Sequence, residues 1–600
     1  MKMEFLWYAT LTFSLGWAAS GAGGGQSMSH VLTPAEVWKG FDPREGPLEE
    51  EVIKKWSVGP VDYKEAYFTA WSQGDEKIRV YAIYAARADQ GRQPAVMHVH
   101  GGGQTVNQNW LRFWTERGYA ALTYNWGGAW PNRDRYALYG TLKHGNHREA
   151  GDRLRATEPS VRASSWYVWA KVSRRALTYI ERQPEVDPDR IGAFGVSMGG
   201  TILWPLAFDD RLRAGCAIYG VGWNGPMRHE PKYALGYDRK PPTESDLAWS
   251  AGMAPEAYAP YVKCPMLFLS GTNDHHGNMD RAYDTLAQMP EGMERRQAFT
   301  PRYRHHIGAD FVHDLPLWMD AWLKGDVTWP TSPKAEMALG DDGVPRLAVA
   351  AGRPESIEEI EVFYAVENPH VVNRNWRSAE VTRRNNSWMA ETPVLDVDRY
   401  LFAFANVRYE SGIVVSSNME AVIPSRLGRA TATDQPTSLI YDGSDGIGLW
   451  TTNSPCTDPI PPVPRPIRPA EGPFGRKGFT VSKYSSPLSY QIGDPKWRAG
   501  GRAALRFEVA SRNPEQFQVV VYRNHFTPGQ EKYTAGVSVA GGRGWCEVCL
   551  LPSQFAKDDG TERLDDWDAL TTLQLERPRD GWQDENIVFT NFRWTQQAKP

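Results

Sequence analysis

Arg190-Ile-Gly-Ala-Phe-Gly-Val-Ser197-Met-Gly-Gly-Thr-Ile-Leu-Trp-Pro-Leu-Ala207 runs from a short apolar stretch of strand character straight into a helical one, and the change falls at Gly195-Val-Ser197-Met-Gly199. A serine at such a turn takes a strained backbone conformation and stands clear of the sheet. Only very small residues two positions to either side let strand and helix come close enough. Ser197 is therefore the candidate nucleophile. A G-x-S-x-G also arises by chance in a glycine-rich chain, where its serine merely caps a helix, so the motif needs partners.

Three partners stand in a consistent order. Pro265-Met-Leu-Phe-Leu-Ser-Gly-Thr-Asn-Asp274 is an apolar strand ending in a loop with one carboxylate, which makes Asp274 the candidate acid. Gln297-Ala-Phe-Thr-Pro-Arg-Tyr-Arg-His305-His306 is again a strand followed by a loop, ahead of a helix carrying Phe311, Leu315, Trp318 and Trp322. Only one of two neighbouring loop histidines can reach Ser197 while Asp274 orients its other ring nitrogen; His305 is favoured as the base, with His306 as the alternative or as a substrate-binding residue. Upstream, Pro94-Ala-Val-Met-His-Val-His100-Gly-Gly-Gly103-Gln104 opens from a strand into three glycines, whose N–H groups can turn toward one point. With the N–H of Met198, Gly102 or Gly103 would complete an oxyanion hole. No Gly-Lys-Ser/Thr follows, so a phosphate cradle is not indicated.

A length of 600 residues implies three or four domains rather than one core. A net charge of -4 with mixed signs offers no basic surface for nucleic acid. The 25 tryptophans exceed the usual share and support a carbohydrate substrate, although most are expected to fill cores. Met1-Lys-Met-Glu, then Phe5 through Ala19, then small residues read as a secretory signal cleaved near Ala22, which implies a secreted or periplasmic protein free of the membrane after cleavage. The apolar run is short for a span of about twenty residues. Of five cysteines, Cys216 and Cys264 are expected as free buried thiols. Cys546 and Cys549 face opposite sides of one strand, and Cys456 with either is the only disulfide suggested. No cluster has zinc-ligand spacing, and His275-His276 lacks a third partner nearby in sequence, so no metal and no cofactor are expected.

Strands alternate with helices from about 61 to 324, which predicts a mostly parallel, doubly wound sheet. Two stretches outside that alternation, 126–162 and 221–260, are where a pocket would be built; Trp126, Trp130 and Trp223 are its candidate substrate-binding residues. After Trp329-Pro-Thr-Ser-Pro333 helical signals end. The expected organisation is a signal over 1–22, an α/β domain over 23–332, an Ig-like β-sandwich over 333–432 and a β jelly roll over 433–600.

On His100-Gly-Gly-Gly103, Gly195-Val-Ser197-Met-Gly199, Asp274 and His305, the region from about 60 to 325 resembles the acetyl xylan esterase and dienelactone hydrolase-like branch of the α/β-hydrolases. The strand-rich order behind it also looks like the PhoPQ-activated pathogenicity-related proteins. The doubled histidine and the long insertion after Trp126 depart from the pattern. Tyr490-Gln-Ile-Gly-Asp-Pro-Lys-Trp497, residues 545–555 and Leu564-Asp-Asp-Trp567 resemble a galactose-binding-like jelly roll of the kind used as carbohydrate-binding modules. The resemblance implies a secreted serine carboxylic-ester hydrolase that deacetylates an esterified polysaccharide or oligosaccharide. A prolyl-oligopeptidase-type peptidase and a non-catalytic glycan-binding protein are the alternatives; the few residues before Val61 leave no room for the propeller such peptidases usually carry.

Overall fold

The computed structural model describes residues 31–222, 243–368, 370–384, 387–452, 466–500, 503–526 and 529–596. Trp223, Cys456 and the expected signal over 1–22 lie outside the described residues.

Nine strands form the first sheet: β1 (Glu51–Val58), β2 (Val61–Gln73), β3 (Glu76–Arg87), β4 (Gln93–Val99), β5 (Ala120–Tyr124), β6 (Val186–Val196), β7 (Leu212–Ile218), β8 (Met266–Gly271) and β9 (Arg295–Thr300). They lie in the order β1-β2-β3-β5-β4-β6-β7-β8-β9. The pairs β1/β2, β2/β3 and β3/β5 are antiparallel, and every pair from β5/β4 to β8/β9 is parallel. Parallel strands must be covered on both faces, and β4 to β9 accordingly have almost no exposed residue, with apolar runs in β4, β5, β8 and the second half of β6. The cover on one face is the helix Ser165–Glu181, started by the Ser164 hydroxyl accepting from the Tyr167 N–H and buried along nearly its whole length. Trp166 and Trp169 lie in that packing, as their helical spacing predicts. The expected helix through Phe311 and Trp322 is broken into Ala309–Val312, Asp314–Met319 and the wider turn Asp320–Lys324. Pro316, inside it, has no N–H with which to continue a regular ladder.

Among the described residues from Lys334 onward, the regular elements are β-strands and short 3-10 turns. Four strands pair in the order Lys334–Leu339, Pro345–Ala350, Ser387–Glu391, Val381–Arg384, and a second sheet runs Arg377–Ala379, Ile357–Val366, Leu401–Tyr409, Val414–Ser416, with Glu420–Val422 also on Leu401–Tyr409. Two further sheets of six strands each occupy 439–596. All are antiparallel.

The expected break at 332/333 is not a break in packing. Phe363, Trp376, Phe402, Phe404 and Met419 lie in the same core as Trp126, Trp169 and Phe268, and Leu347, Val362 and Val407 share a second core with Phe194, Leu267 and Trp318. Only the last two sheets enclose a core of their own, from Ile440 to Trp594. Cys216 and Cys264 are buried free thiols; Cys546 and Cys549 are free as well, on opposite faces of Cys546–Leu550.

Candidate active site

β6 delivers Ser197 at φ 56°, ψ -118°, and the helix Met198–Ala207 starts at the next residue. Positive φ is costly for any residue with a Cβ and persists only where its surroundings enforce it. Here the Ser197 N–H donates to the Ile218 carbonyl of β7 at 2.8 Å. The flanking glycines are required by contact. A Cβ on Gly195 would strike the Gly199 carbonyl, one on Gly199 would strike the Val99 carbonyl of β4, and one on Gly200 would stand 2.6 Å from the Ile218 oxygen.

Ser197 Oγ lies 2.8 Å from His305 Nε2, and His305 Nδ1 lies 2.7 Å from Asp274 Oδ2. The loops carrying the last two side chains are zipped together at the ends of β8 and β9. Thr272 N–H donates to the Thr300 carbonyl at 3.0 Å, Asn273 N–H to the Tyr303 carbonyl at 2.9 Å, and Arg302 N–H to the Thr272 hydroxyl at 2.7 Å. Gly271 permits this approach, because a Cβ there would meet the Tyr303 and Arg304 carbonyls. Asp274 is fully buried, and its Oδ1 accepts from the N–H groups of His276 (2.6 Å) and Gly277 (2.8 Å). Burial opposes its ionisation, but the charge and hydrogen bond of His305, with help from His275 and His276, outweigh burial and hold the carboxyl at about 2. An ionised Asp274 needs a donor, so Nδ1 of His305 carries the proton and Nε2 is left to accept from Ser197.

His306 turns away from this line: its ring stacks on Tyr303 with centroids 5.6 Å apart, and burial lowers its pKa. The histidine that the sequence reading missed is His276. Its Nδ1 is 3.2 Å from Ser197 Oγ and its Nε2 is 3.2 Å from the Thr201 hydroxyl. Burial pushes its pKa down to about 3, so it is neutral at ordinary pH. With the Ser197 proton directed at His305, two facing lone pairs at Nδ1 and Oγ are avoided only if Nδ1 of His276 carries the hydrogen and donates, which leaves Nε2 to accept from Thr201. Two adjacent histidines directly after the candidate acid were the available signal, but the reading took them only as possible metal ligands. In space His275 does gain partners: Asp274, His275 and His305 form the grouping of metal-ligating atoms present among the described residues, within 4.8 Å of one another. Within it Asp274 Oδ2 and His305 Nδ1 already bond each other.

On the other side of Ser197, Gly102 sits against the Met198 side chain, and a Cβ on it would lie 2.5 Å from Sδ. Gly103, at φ 73°, would bring a Cβ to 3.5 Å from the Trp130 ring, and its carbonyl accepts from Arg133. Trp130 is partly exposed beside it, stacked on His147 at 5.9 Å with Arg133 and Arg148 over its ring. Trp126 requires a correction. It is completely buried, stacked on His100 at 4.8 Å with its Nε1 donating to the His100 carbonyl at 2.8 Å, so it shapes the glycine loop from beneath and presents no surface to a substrate.

Residues 84–298 match the dienelactone hydrolase family. The dienelactone hydrolase match begins inside β3 and ends inside β9; it contains Ser197 and Asp274 and stops short of His305. A stretch of 49 residues is 43% identical to the YtaP protein of Bacillus subtilis (strain 168), a hydrolase by name only; this spans 8% of the chain and 16% of that relative. Among solved structures, acetyl xylan esterase 1 from Thermoanaerobacterium sp. JW/SL YS485 is similar at 17% identity and TM-score 0.35, covering 49% of this chain and 96% of that one. An acetyl xylan esterase from Paenibacillus sp. R4 follows at 16% identity and TM-score 0.35, covering 47% and 91%.

Beyond the region that matches the dienelactone hydrolase family, the last β-unit reaches the site. Arg304, next to His305, donates from Nε to the Tyr490 hydroxyl at 2.7 Å, and its Nη2 lies 2.5 Å from His525 Nδ1. Its guanidinium lies 4.8 Å from the Phe526 ring centroid, and Phe526 stacks on His275 at 5.1 Å. These contacts join positions 186 and 221 residues apart, which no local pattern could announce.

Proposed function

We propose that this chain is a secreted serine carboxylic-ester hydrolase that removes acetyl groups from an esterified polysaccharide or oligosaccharide. The observation that carries the reading is the unbroken line Ser197 Oγ, His305, Asp274 at a strained strand-to-helix turn. Asp274 holds the His305 ring with Nε2 toward the serine. Nε2 takes the Ser197 proton as Oγ attacks the ester carbonyl, and the protonated ring returns it to the departing alcohol. The oxyanion is received by the N–H of Met198 at the helix start together with that of Gly102 or Gly103. Water, activated by the same Nε2, then releases the acid and frees Oγ. His276 holds Oγ from beside His305 and, by donating Nδ1–H, stabilises the oxygen as it loses its proton and again as it leaves the acyl group. Trp130 borders the glycine side of the pocket. The two sheets over 439–596 are read as a jelly roll of the carbohydrate-binding kind, and the segment over 1–22 as the export signal.

The test is release of acetate from 4-nitrophenyl acetate and from acetylated xylan by the wild type and Ser197→Ala. Loss of the serine is expected to lower turnover by roughly 10⁴-fold or more with the fold intact. Turnover unchanged in Ser197→Ala would sink the reading.

A further inference from the structure

We infer that a cavity of about 340 Å³ beside the helix Ser165–Glu181, lined by His144, Arg153, Arg162 and Lys171, is a binding site for a phosphate or sulfate group. It shares no lining residue with the serine site and stands independently of the ester-hydrolase reading.

No carboxylate lines this cavity, and none of its four basic side chains forms an ion pair among the described residues. Like charges gathered without a counter-charge repel one another and leave a positive potential that an anion relieves. The groups are held in place by the fold. Arg162 donates from Nε to the Val37 carbonyl at 2.9 Å and from Nη2 to the Glu36 and Lys39 carbonyls at 2.5 and 3.0 Å. Its Nη1 has no protein acceptor among the described residues. The Ser165 hydroxyl donates to the His144 carbonyl at 2.7 Å and lies 3.4 Å from the Arg153 carbonyl, which pins both basic turns to the start of the helix. Lys171, on that helix, sets its Nζ 4.3 Å from the Trp71 ring centroid and 5.0 Å from that of Phe41, with no oxygen acceptor among the described residues. Burial, with Arg162 and Arg175 repelling its charge, pushes Lys171 down to about 8, and burial and Arg153 lower His144. An ammonium so placed has three donors to offer and gains from any anion that reaches it. The donors stand on the helix and on three separate turns, Lys143–Gly145, Gly151–Arg153 and Val161–Ala163. That arrangement suits a tetrahedral oxyanion with several oxygens to share, whereas a planar carboxylate is satisfied by one guanidinium. Trp71 and Tyr167 add ring surface to the same cavity, a wall for an organic group carried on the oxyanion.

The test is titration calorimetry of the full-length protein with sodium sulfate, the ionic strength being held constant with sodium chloride. Saturable binding at one site per chain is expected, with a Kd of about 1 mM or tighter at pH 7. Lys171→Met should weaken it about tenfold or more, and Arg153→Gln by a smaller factor. Sulfate keeps its charge above pH 7, so the change in affinity between pH 7 and 9 reports the protein. His144, its pKa lowered, is neutral throughout that window, and Arg153, Arg162 and Arg175 stay charged, which leaves Lys171 as the group facing the cavity that titrates. Affinity should therefore fall about tenfold from pH 7 to 9 as the lysine loses its proton. Lys171→Arg, which keeps a charge at every pH in the window, should bind sulfate and lose that dependence. Competition against sulfate then names the source: phenyl phosphate displacing it about tenfold better than inorganic phosphate assigns the site to an organic ester, and equal displacement assigns it to the free ion. No saturable binding, binding unchanged in a folded Lys171→Met, or the same pH dependence in Lys171→Arg overturns the inference.

Discussion

The two β-regions behind the α/β domain are alike in composition of elements and unlike in how they attach. The sheets over 334–422 continue the domain's own cores. Phe404 packs on Phe299 of β9, the edge strand of the first sheet. The exposed edge of β9 is covered: Asn406 Nδ2 donates to the Phe299 carbonyl at 3.0 Å, and the Phe299 N–H donates to the Ser416 hydroxyl at 2.9 Å. Arg374 closes the contact with two bonds to Asp280, at 2.7 and 2.8 Å, both side chains almost fully buried. The last unit meets the rest through polar groups. Arg377 bridges Asp494 and Asp434, Asn375 donates to Asp494 at 3.0 Å, Asn373 to the His525 carbonyl at 2.9 Å, and Arg304 to Tyr490. Shared apolar cores make two regions one folding unit, whereas a polar junction fixes orientation between bodies with separate cores.

The largest effect expected from this contrast is on truncation. A chain ending at 332 loses part of both cores and uncovers β9, so it should be insoluble; a chain ending at 436 should stay soluble and melt cooperatively. Soluble yield and a thermal melt check both, and a cooperative melt of the shorter piece breaks the comparison. Next come two arginines. Arg374→Ala leaves Asp280 as a buried unpaired charge inside the shared core, at a cost of about 3–5 kcal/mol, and should lower the melting temperature of the main body. Arg377→Ala breaks a similar network at the junction and should instead split the melt into two transitions, with the main body's midpoint little changed.

Acid should weaken the two bodies unequally. Burial holds His98 and His276 at about 3 and His100 well below its ordinary value, all three in the main body. In the window from 6.5 down to about 4 the unfolded chain binds their protons and the folded one does not, so stability falls as pH falls, by about 1.4 kcal/mol per pH unit for each. Asp314, buried and held protonated far above the carboxylate range, opposes this by one proton, since folding raises its pKa and its contribution is lost as pH rises. Three protons less one leave roughly 3 kcal/mol per pH unit from these four groups. Beyond 437 the chain has one histidine, His525 at the junction, also lowered by burial. Melts at pH 7 and 5.5 should therefore show the main-body transition falling more than that of the last unit; equal shifts contradict the assignment. The smallest effect is local to the main body. His276→Leu should lower kcat by roughly 10- to 100-fold, the loss of one hydrogen bond to a developing charge, and His276→Asn, which restores a donor near the Nδ1 position, should recover most of it. If Asn is as poor as Leu with both folded, the histidine fills space and does not donate.

How much of this was readable from the chain varies with distance along it. Residues 190–207 announced a strand, a turn and a helix because the glycine requirement is set by backbone contacts within a few positions, and the structure shows those contacts. The glycine loop and the acid and base loops were placed by the same local logic. The exposure of Trp126 was misjudged, since a tryptophan in an irregular stretch has no periodicity to say which way it points; its burial against His100 and Trp169 is set by the helix Ser165–Glu181. The separation of 333–432 was misjudged for a related reason. A change from helical to strand signals marks a change of element type, and it carries no information on whether the new sheet closes an old core.

By itself the sequence determined the order of the site: glycine loop, serine turn, acid and base, each at the end of an apolar strand, because strand period and glycine steric demands are local. Tertiary structure alone decided which histidine faces Ser197, that a second one, His276, touches the same oxygen, and that Phe526 arrives beside His275 from 251 residues further on. The physical reason is that a residue's identity limits what its side chain can do, while its direction and neighbours are fixed by packing between segments that no local pattern connects.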